Sequence, residues 1–190
     1  MKKDKWIIGL AAGAGAVLLG AVGYKLLSRD IPKGATAVQP FDIDRYLGKW
    51  HEIARLPNSV EKDIDHLTED YIRQKNGSIK VITRGLNRET GKHVEAIGKM
   101  KLAGNENTGM LKVSYFRPVF LAYNILDMDP DYKYAMVAGN NLETLWILSR
   151  DQTIPDDIKA RFLYNAAKIG FIIEHLDWMK QPNLQPDIED

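Results

Sequence analysis

Leu111-Lys112-Val113-Ser114-Tyr115-Phe116 places apolar residues at alternate positions, with Lys112 and Ser114 between them. A period of two belongs to a strand with one buried and one wet face. Val94, Ala96 and Gly98 alternate with Glu95, Ile97 and Lys99 in the same way. Turn signals punctuate the chain at Asn76-Gly77, Thr90-Gly91, Thr108-Gly109 and Gly139-Asn140-Asn141. Short strands with turns every 8–12 residues or so make an antiparallel meander, a sandwich or an up-and-down barrel. The pattern predicts eight strands, near 49–56, 67–76, 79–87, 93–103, 110–116, 119–129, 132–138 and 143–149.

One helix follows them. Thr153-Ile154-Pro155-Asp156 supplies an N-cap, a proline for the first turn and an acidic residue. Ile158, Phe162, Leu163, Ala166 and Ile169 recur at helical spacing, and Gly170 is placed to stop the helix. His175 to Lys180 reads as a last short strand, and residues 183–190 as a disordered acidic tail. The predicted fold is all-β: an eight-stranded antiparallel up-and-down barrel with one C-terminal α-helix. Closing eight strands removes the sheet edges and leaves room for one small ligand.

The chain has 190 residues, 26 Lys+Arg against 25 Asp+Glu, and no cysteine. The near-zero net charge argues against a nucleic-acid partner held by bulk charge. The missing cysteines exclude disulfides, thiolate metal sites, cysteine nucleophiles and a lipid-modified N-terminal cysteine. The charge is unevenly spread: residues 1–33 carry +4 and the rest −3. Trp6 to Tyr24 is uncharged, with Lys2, Lys3 and Lys5 before it and Lys25 and Arg29 after it. As a helix these 19 residues would be about 29 Å long, near the thickness of a bilayer core. The favoured reading is an N-terminal transmembrane helix within residues 1–27, an uncleaved signal anchor with the barrel on the periplasmic or extracytoplasmic side. A cleaved signal is the competing reading, since Ala21-Val22-Gly23 offers small residues at a cleavage position. Ala12, Ala16 and Gly20 form a small-residue stripe through which two such helices could pair as a homodimer. Residues 28–40, with Pro32, Gly34 and Pro40, read as a linker to a domain spanning 41–182.

The motifs of that domain resemble the lipocalins, most closely the bacterial outer-membrane and apolipoprotein D branch. Phe41-Asp42-Ile43-Asp44-Arg45-Tyr46-Leu47-Gly48-Lys49-Trp50, continued by Glu52-Ile53-Ala54-Arg55, resembles the family's first signature. Asn76 to Val81 resembles its second hairpin and Leu111 to Phe116 its fifth strand. Tyr123-Asn124 through Asp129 with Tyr132 to Gly139 resembles the second signature, and Leu145 to Arg150 the third. The resemblance implies a carrier of fatty acids or lysophospholipids rather than an enzyme, needing no cofactor. It also implies structural roles for Gly48, Trp50 and Arg150: Trp50 plugs the closed end, with the Arg150 guanidinium over its ring. Apolipoprotein D has disulfides and the bacterial lipoproteins a lipid-bearing cysteine, and this chain has neither. The apolar run at 6–24 would then replace the lipid anchor, so attachment to an outer membrane is one option rather than an inheritance.

With Trp50 pointing inward, strand alternation turns Glu52 and Ala54 inward and His51 and Arg55 outward. The same parity, guided by the resemblance, gives Tyr71, Val81, Thr83, Ala96, Met100, Val113, Tyr115, Asn124, Leu126 and Trp146 as ligand-binding lining. That is an apolar, aromatic wall with few polar groups, in which Ala54, Ala96 and Gly98 leave volume. A barrel packed solid by its own side chains is the bland alternative.

Other signals are set aside. His51, His66, His93 and His175 lack metal-ligand spacing. Asp127-Met128-Asp129-Pro130-Asp131 mimics the start of a calcium loop, but Tyr132 stands where that loop needs glycine. No hydrolase elbow, P-loop or dinucleotide fingerprint is present. A lipid-modifying enzyme would need a nucleophile or an acid–base pair inside the barrel, and Ser114 and Ser149 have outward parity. A membrane-tethered interaction module is the third function class.

Overall fold

Strand pairing in the computed structural model, which describes residues 4–5, 30–58, 61 and 63–179, closes the meander into a barrel. The expected transmembrane helix at 6–24 and the tail at 183–190 lie outside the described residues. Among the described residues, no helix is long and apolar enough to cross a membrane.

The barrel strands are β1 (Gly48–Arg55), β2 (Ile64–Arg73), β3 (Ile79–Asn87), β4 (His93–Leu102), β5 (Met110–Phe116), β6 (Val119–Met128), β7 (Tyr134–Ala138) and β8 (Leu145–Ser149). Each pairs antiparallel with the next, and β8 returns to β1 with His51 opposite Ser149 and Glu52 opposite Leu148. A two-residue β9 (Asp177–Trp178) adds to the other side of β1's upper end, and Asp4–Lys5 pairs parallel with Val94 and Glu95 on the edge of β4 that β5 leaves open.

Two apolar clusters hold the fold. One fills the barrel's lower half: Tyr46, Trp50, Tyr71, Val81, Met100, Leu111 and Ile125 are among its buried members. The other lies between the outer wall and α2 (Asp156–Ile169), where Ile53, Met136, Leu145 and Ile147 meet Phe162 and Ala166. The helix ends at Gly170, whose φ of +115° is a left-handed conformation that glycine adopts without steric cost; its N–H donates to the carbonyls of Ala166 and Ala167. Its N-cap is Pro155, without a side-chain bond, not Thr153. The carbonyl of Thr153 instead accepts from the Ser149 hydroxyl at 2.8 Å.

Seven strands start within two residues of their sequence positions. β2 starts three residues earlier than its pattern suggests, because a register shift lies between Asp65 and Thr68, with His66 at φ +52°. That irregularity breaks the alternation that would have marked the strand's start.

Candidate functional site

The closed end is built from the turn before β1. Asp42 caps α1 (Ile43–Tyr46), its carboxylate accepting from the N–H groups of Asp44 and Arg45. The helix delivers Tyr46 under the barrel, and Trp50 Nε1 donates to the Tyr46 carbonyl at 2.9 Å. The Arg150 guanidinium carbon lies 3.9 Å from the Trp50 ring centroid. Its nitrogens donate to the carbonyls of Lys49, Arg45, Tyr46 and Tyr132 at 2.9–3.2 Å. This planar fork closes the base by tying three chain segments to one aromatic ring. Gly48, at φ +96°, lets it approach: a Cβ there would stand 3.3 Å from Arg150 Nη1.

Above this floor runs a chain of hydroxyls. The Tyr123 hydroxyl lies 2.7 Å from those of both Tyr46 and Tyr71. Tyr71 donates to Glu69 Oε2, and Tyr115 reaches Glu69 Oε1 at 3.4 Å and Thr83 Oγ1 at 2.6 Å. Strand register explains the meeting, since Trp50, Glu69, Thr83 and Ala96 stand opposite one another across β1 to β4. Burial pushes the Glu69 carboxyl up to about 7, the Tyr71 bond opposing and the Glu61 charge adding to it.

Nearer the mouth sits an ion pair. Arg55 Nη1 donates to Glu52 Oε1 at 2.5 Å, and Nη2 to the carbonyls of Glu61 and Ile64. The Glu61 carboxylate accepts from Trp146 Nε1 at 3.2 Å. Burial raises the Glu52 carboxyl well above its usual range, and the Glu61 charge adds to the rise while Arg55 opposes it.

Glu52, Tyr71, Val81, Thr83, Ala96, Met100, Val113, Tyr115 and Trp146 face the interior with these groups. Three expected lining residues do not. A bulge between Glu52 and Ala54 inserts an extra residue into β1 and reverses its parity. Ala54 therefore lies in the cluster beneath α2, while Arg55, expected outside, is fully buried beside Glu52. On β6 it is Tyr123 and Ile125 that point inward. Leu126 packs toward α2, and Asn124 is buried outside, its Nδ2 donating to the carbonyls of Asp30 and Gly139. Nor does Gly98 leave volume: the Tyr115 ring lies where its Cβ would be, at 2.9 Å.

Sequence reasoning missed Glu69, Glu61, Arg55, Tyr46 and Tyr123. Parity alone finds Glu69, two residues before inward-facing Tyr71. Nothing local marks the β1 bulge that brings in Arg55. Among the described residues, no three His, Asp or Glu groups converge as a metal site. Asp129, in the calcium-like stretch, spends its carboxylate on the N–H groups of Asp131, Lys133 and Tyr134, which fixes a turn.

Several interior side chains remain open to solvent despite being ringed by strands. Glu69, Tyr115 and Trp146 each keep part of their surface. Leu121, opposite buried Val113 on the inward face of β6, is 59% exposed. The lower barrel is packed, and above it acidic and aromatic side chains keep part of their surface.

A barrel of this topology, plugged by a tryptophan under an arginine, is that of a lipocalin. A family model described as a lipocalin-like domain matches residues 41–181, and the chain belongs to that family. It is 41% identical to the outer membrane lipoprotein Blc of Citrobacter freundii over 151 residues, 80% of this chain and 85% of the relative. Blc of Escherichia coli K12 is 38% identical over the same coverage. Apolipoprotein D of Rattus norvegicus is 31% identical over 125 residues, 62% of this chain and 65% of the relative. Among solved structures, insecticyanin from the tobacco hornworm superposes with a TM-score of 0.67 at 16% identity, over 82% of this chain and 88% of that one. That likeness shows the fold.

Proposed function

We propose that the protein is a membrane-tethered carrier that binds one lipid in the upper barrel. The supporting observation is the surface that Glu69, Tyr115, Trp146 and Leu121 keep inside a ring of paired strands. An acyl chain entering there gains about 0.8 kcal/mol per buried CH₂ before ordering costs. Interior charge bears on the headgroup. Among the described residues Arg55 is the cation that acts on Glu52, Glu61 acts on both Glu52 and Glu69 with like charge, and Arg55 is already paired with Glu52. A fatty-acid carboxylate placed deep would meet this excess of acid, so a lysophospholipid with a cationic headgroup group suits the cup better.

The carrier reading is preferred to an enzyme. The interior hydroxyls among the described residues are Thr83 and tyrosines, and burial pushes Tyr46, Tyr71, Tyr115 and Tyr123 up, away from nucleophilic ionisation. Residues 6–24 supply the membrane contact. A single crossing would put Lys5 and the barrel on opposite sides, so it requires the two-residue Asp4–Lys5 pairing with β4 to be given up on insertion.

Titration with lysophosphatidylethanolamine and with a fatty acid, followed by tryptophan fluorescence, tests this reading. A saturable one-to-one change that Trp146→Phe abolishes is the expected result. No saturable change with either lipid would sink it.

A further inference from the structure

The outer face of β3 to β5 carries an unusual charge arrangement. Register sets Lys80 directly opposite Lys99, and Lys101 directly opposite Lys112. Like charges facing across strands destabilise a sheet. Lys112 is held at 2.9 Å by Asp30; Lys101 has its ammonium 4.3 Å above the Phe120 ring. Higher on the same side the charges balance, with Arg84 between Asp70 and Glu95. Large apolar groups stand exposed beside these lysines and at the turn at the other end of the strands. Ile97 is 51% exposed on the outward face of β4, two residues before Lys99; Phe116, which a bulge after Val113 sets opposite Val119, is 50% exposed at the mouth end of β5. Val119, two residues before Leu121, is exposed at the same rim. α2 covers the outer wall where β7 and β8 lie, so this face is bare for another reason.

We infer that the outer wall of β3 to β5, with the turn between β5 and β6, is a docking surface for an anionic lipid bilayer. Lipid phosphates would relieve the facing lysines, while Ile97, Phe116 and Val119 enter the boundary between headgroups and acyl chains. A soluble polyanion would answer the lysines and leave the apolar groups wet. A second copy would cover the apolar groups and set lysine against lysine. The chain's own path favours the bilayer too. Asp30 is pinned to this wall by Lys112 and Asn124, and the apolar run ends at Tyr24. Six extended steps reach only about 20 Å, so the run proposed to enter lipid brings this wall with it. Docking would set exposed Leu121, at the mouth, beside the membrane.

The test uses the full chain reconstituted into vesicles, with Phe116→Trp as a reporter quenched by acyl-brominated lipid and the unsubstituted chain as background. Adding about 30% phosphatidylglycerol to phosphatidylcholine should raise the reporter's quenching severalfold. Replacing Lys80, Lys99 and Lys101 together by Gln should reverse that rise, as should about 1 M salt, where the Debye length is about 3 Å. The charge-neutral variant Ile97→Ser should weaken it also. The lysine variant should melt no lower than the parent, since it removes facing like charges. Quenching equal in neutral and anionic vesicles, or unmoved by the lysine variant, would overturn the inference. So would binding of inorganic polyphosphate without any reporter quenching, or a dimer in solution that Ile97→Ser dissolves.

Discussion

Glu69→Gln removes one titrating group while keeping its shape and an acceptor for Tyr71 and Tyr115. In the native barrel the carboxyl titrates at about 7, against 4.5 for an ordinary glutamate. At about 1.4 kcal/mol per unit, that gap is about 3 kcal/mol. The residue as a whole is half-buried, so about 2 kcal/mol is the better expectation. The sign follows from proton uptake. Between pH 4.5 and about 7 the native state holds a proton that the unfolded chain has released. Glu69 therefore contributes stability at low pH that is lost as pH rises through its native value. Urea unfolding at pH 5 and pH 8 reads the effect. At pH 5 the variant should match the parent or lose about 1 kcal/mol for the altered bonds. From pH 5 to pH 8 the difference should move by about 2 kcal/mol in the variant's favour, about 1 M in midpoint at a typical urea slope. Parallel pH profiles would refute the reasoning, for they would mean that Glu69 ionises as it does in water. If the headgroup assignment is right, the variant also binds a fatty-acid anion more tightly at pH 8.

Arg150→Lys keeps the charge but loses the fork that binds four carbonyls, and should cost about 2–4 kcal/mol in urea unfolding. Arg55→Met leaves Glu52 buried without its partner and should destabilise by about 3–5 kcal/mol at pH 8, the loss shrinking at pH 5 as Glu52 takes up a proton. Lys5→Cys, the sole thiol in the chain, should react with an impermeant maleimide from the face of the membrane opposite the barrel. Reaction from the barrel's own side would show that residues 6–24 do not cross.

Much of the architecture was legible in local sequence. β5 could be read because Leu111, Val113 and Tyr115 alternate with the polar Lys112 and Ser114. The base could be read because Trp50 and Arg150 each stand in a distinctive motif. The interior was less legible, since parity survives only while a strand is regular. The bulge in β1 exchanges Ala54 for Arg55, and nothing in Glu52-Ile53-Ala54-Arg55 announces it. On β6, Asn124 reads as a polar lining residue, yet its amide is spent on the segment that begins at Asp30. Of the interior acids Glu52 was legible from its parity, while Glu61 and Glu69 were missed for a related reason. Glu69, Glu61 and Glu52 lie on two strands and a loop, and only closure of the barrel brings them together.

The central claim is that the upper barrel is hollow and takes a lipid. Native mass spectrometry of the full chain, released gently from the membrane in which it was made, tests that most directly. The account predicts a bound species of lipid mass at one per chain, identified by fragmentation and lost when bulky side chains fill the cup through Ala96→Phe. A chain that flies bare, and stays bare after incubation with lysophospholipid and fatty acid, would contradict it.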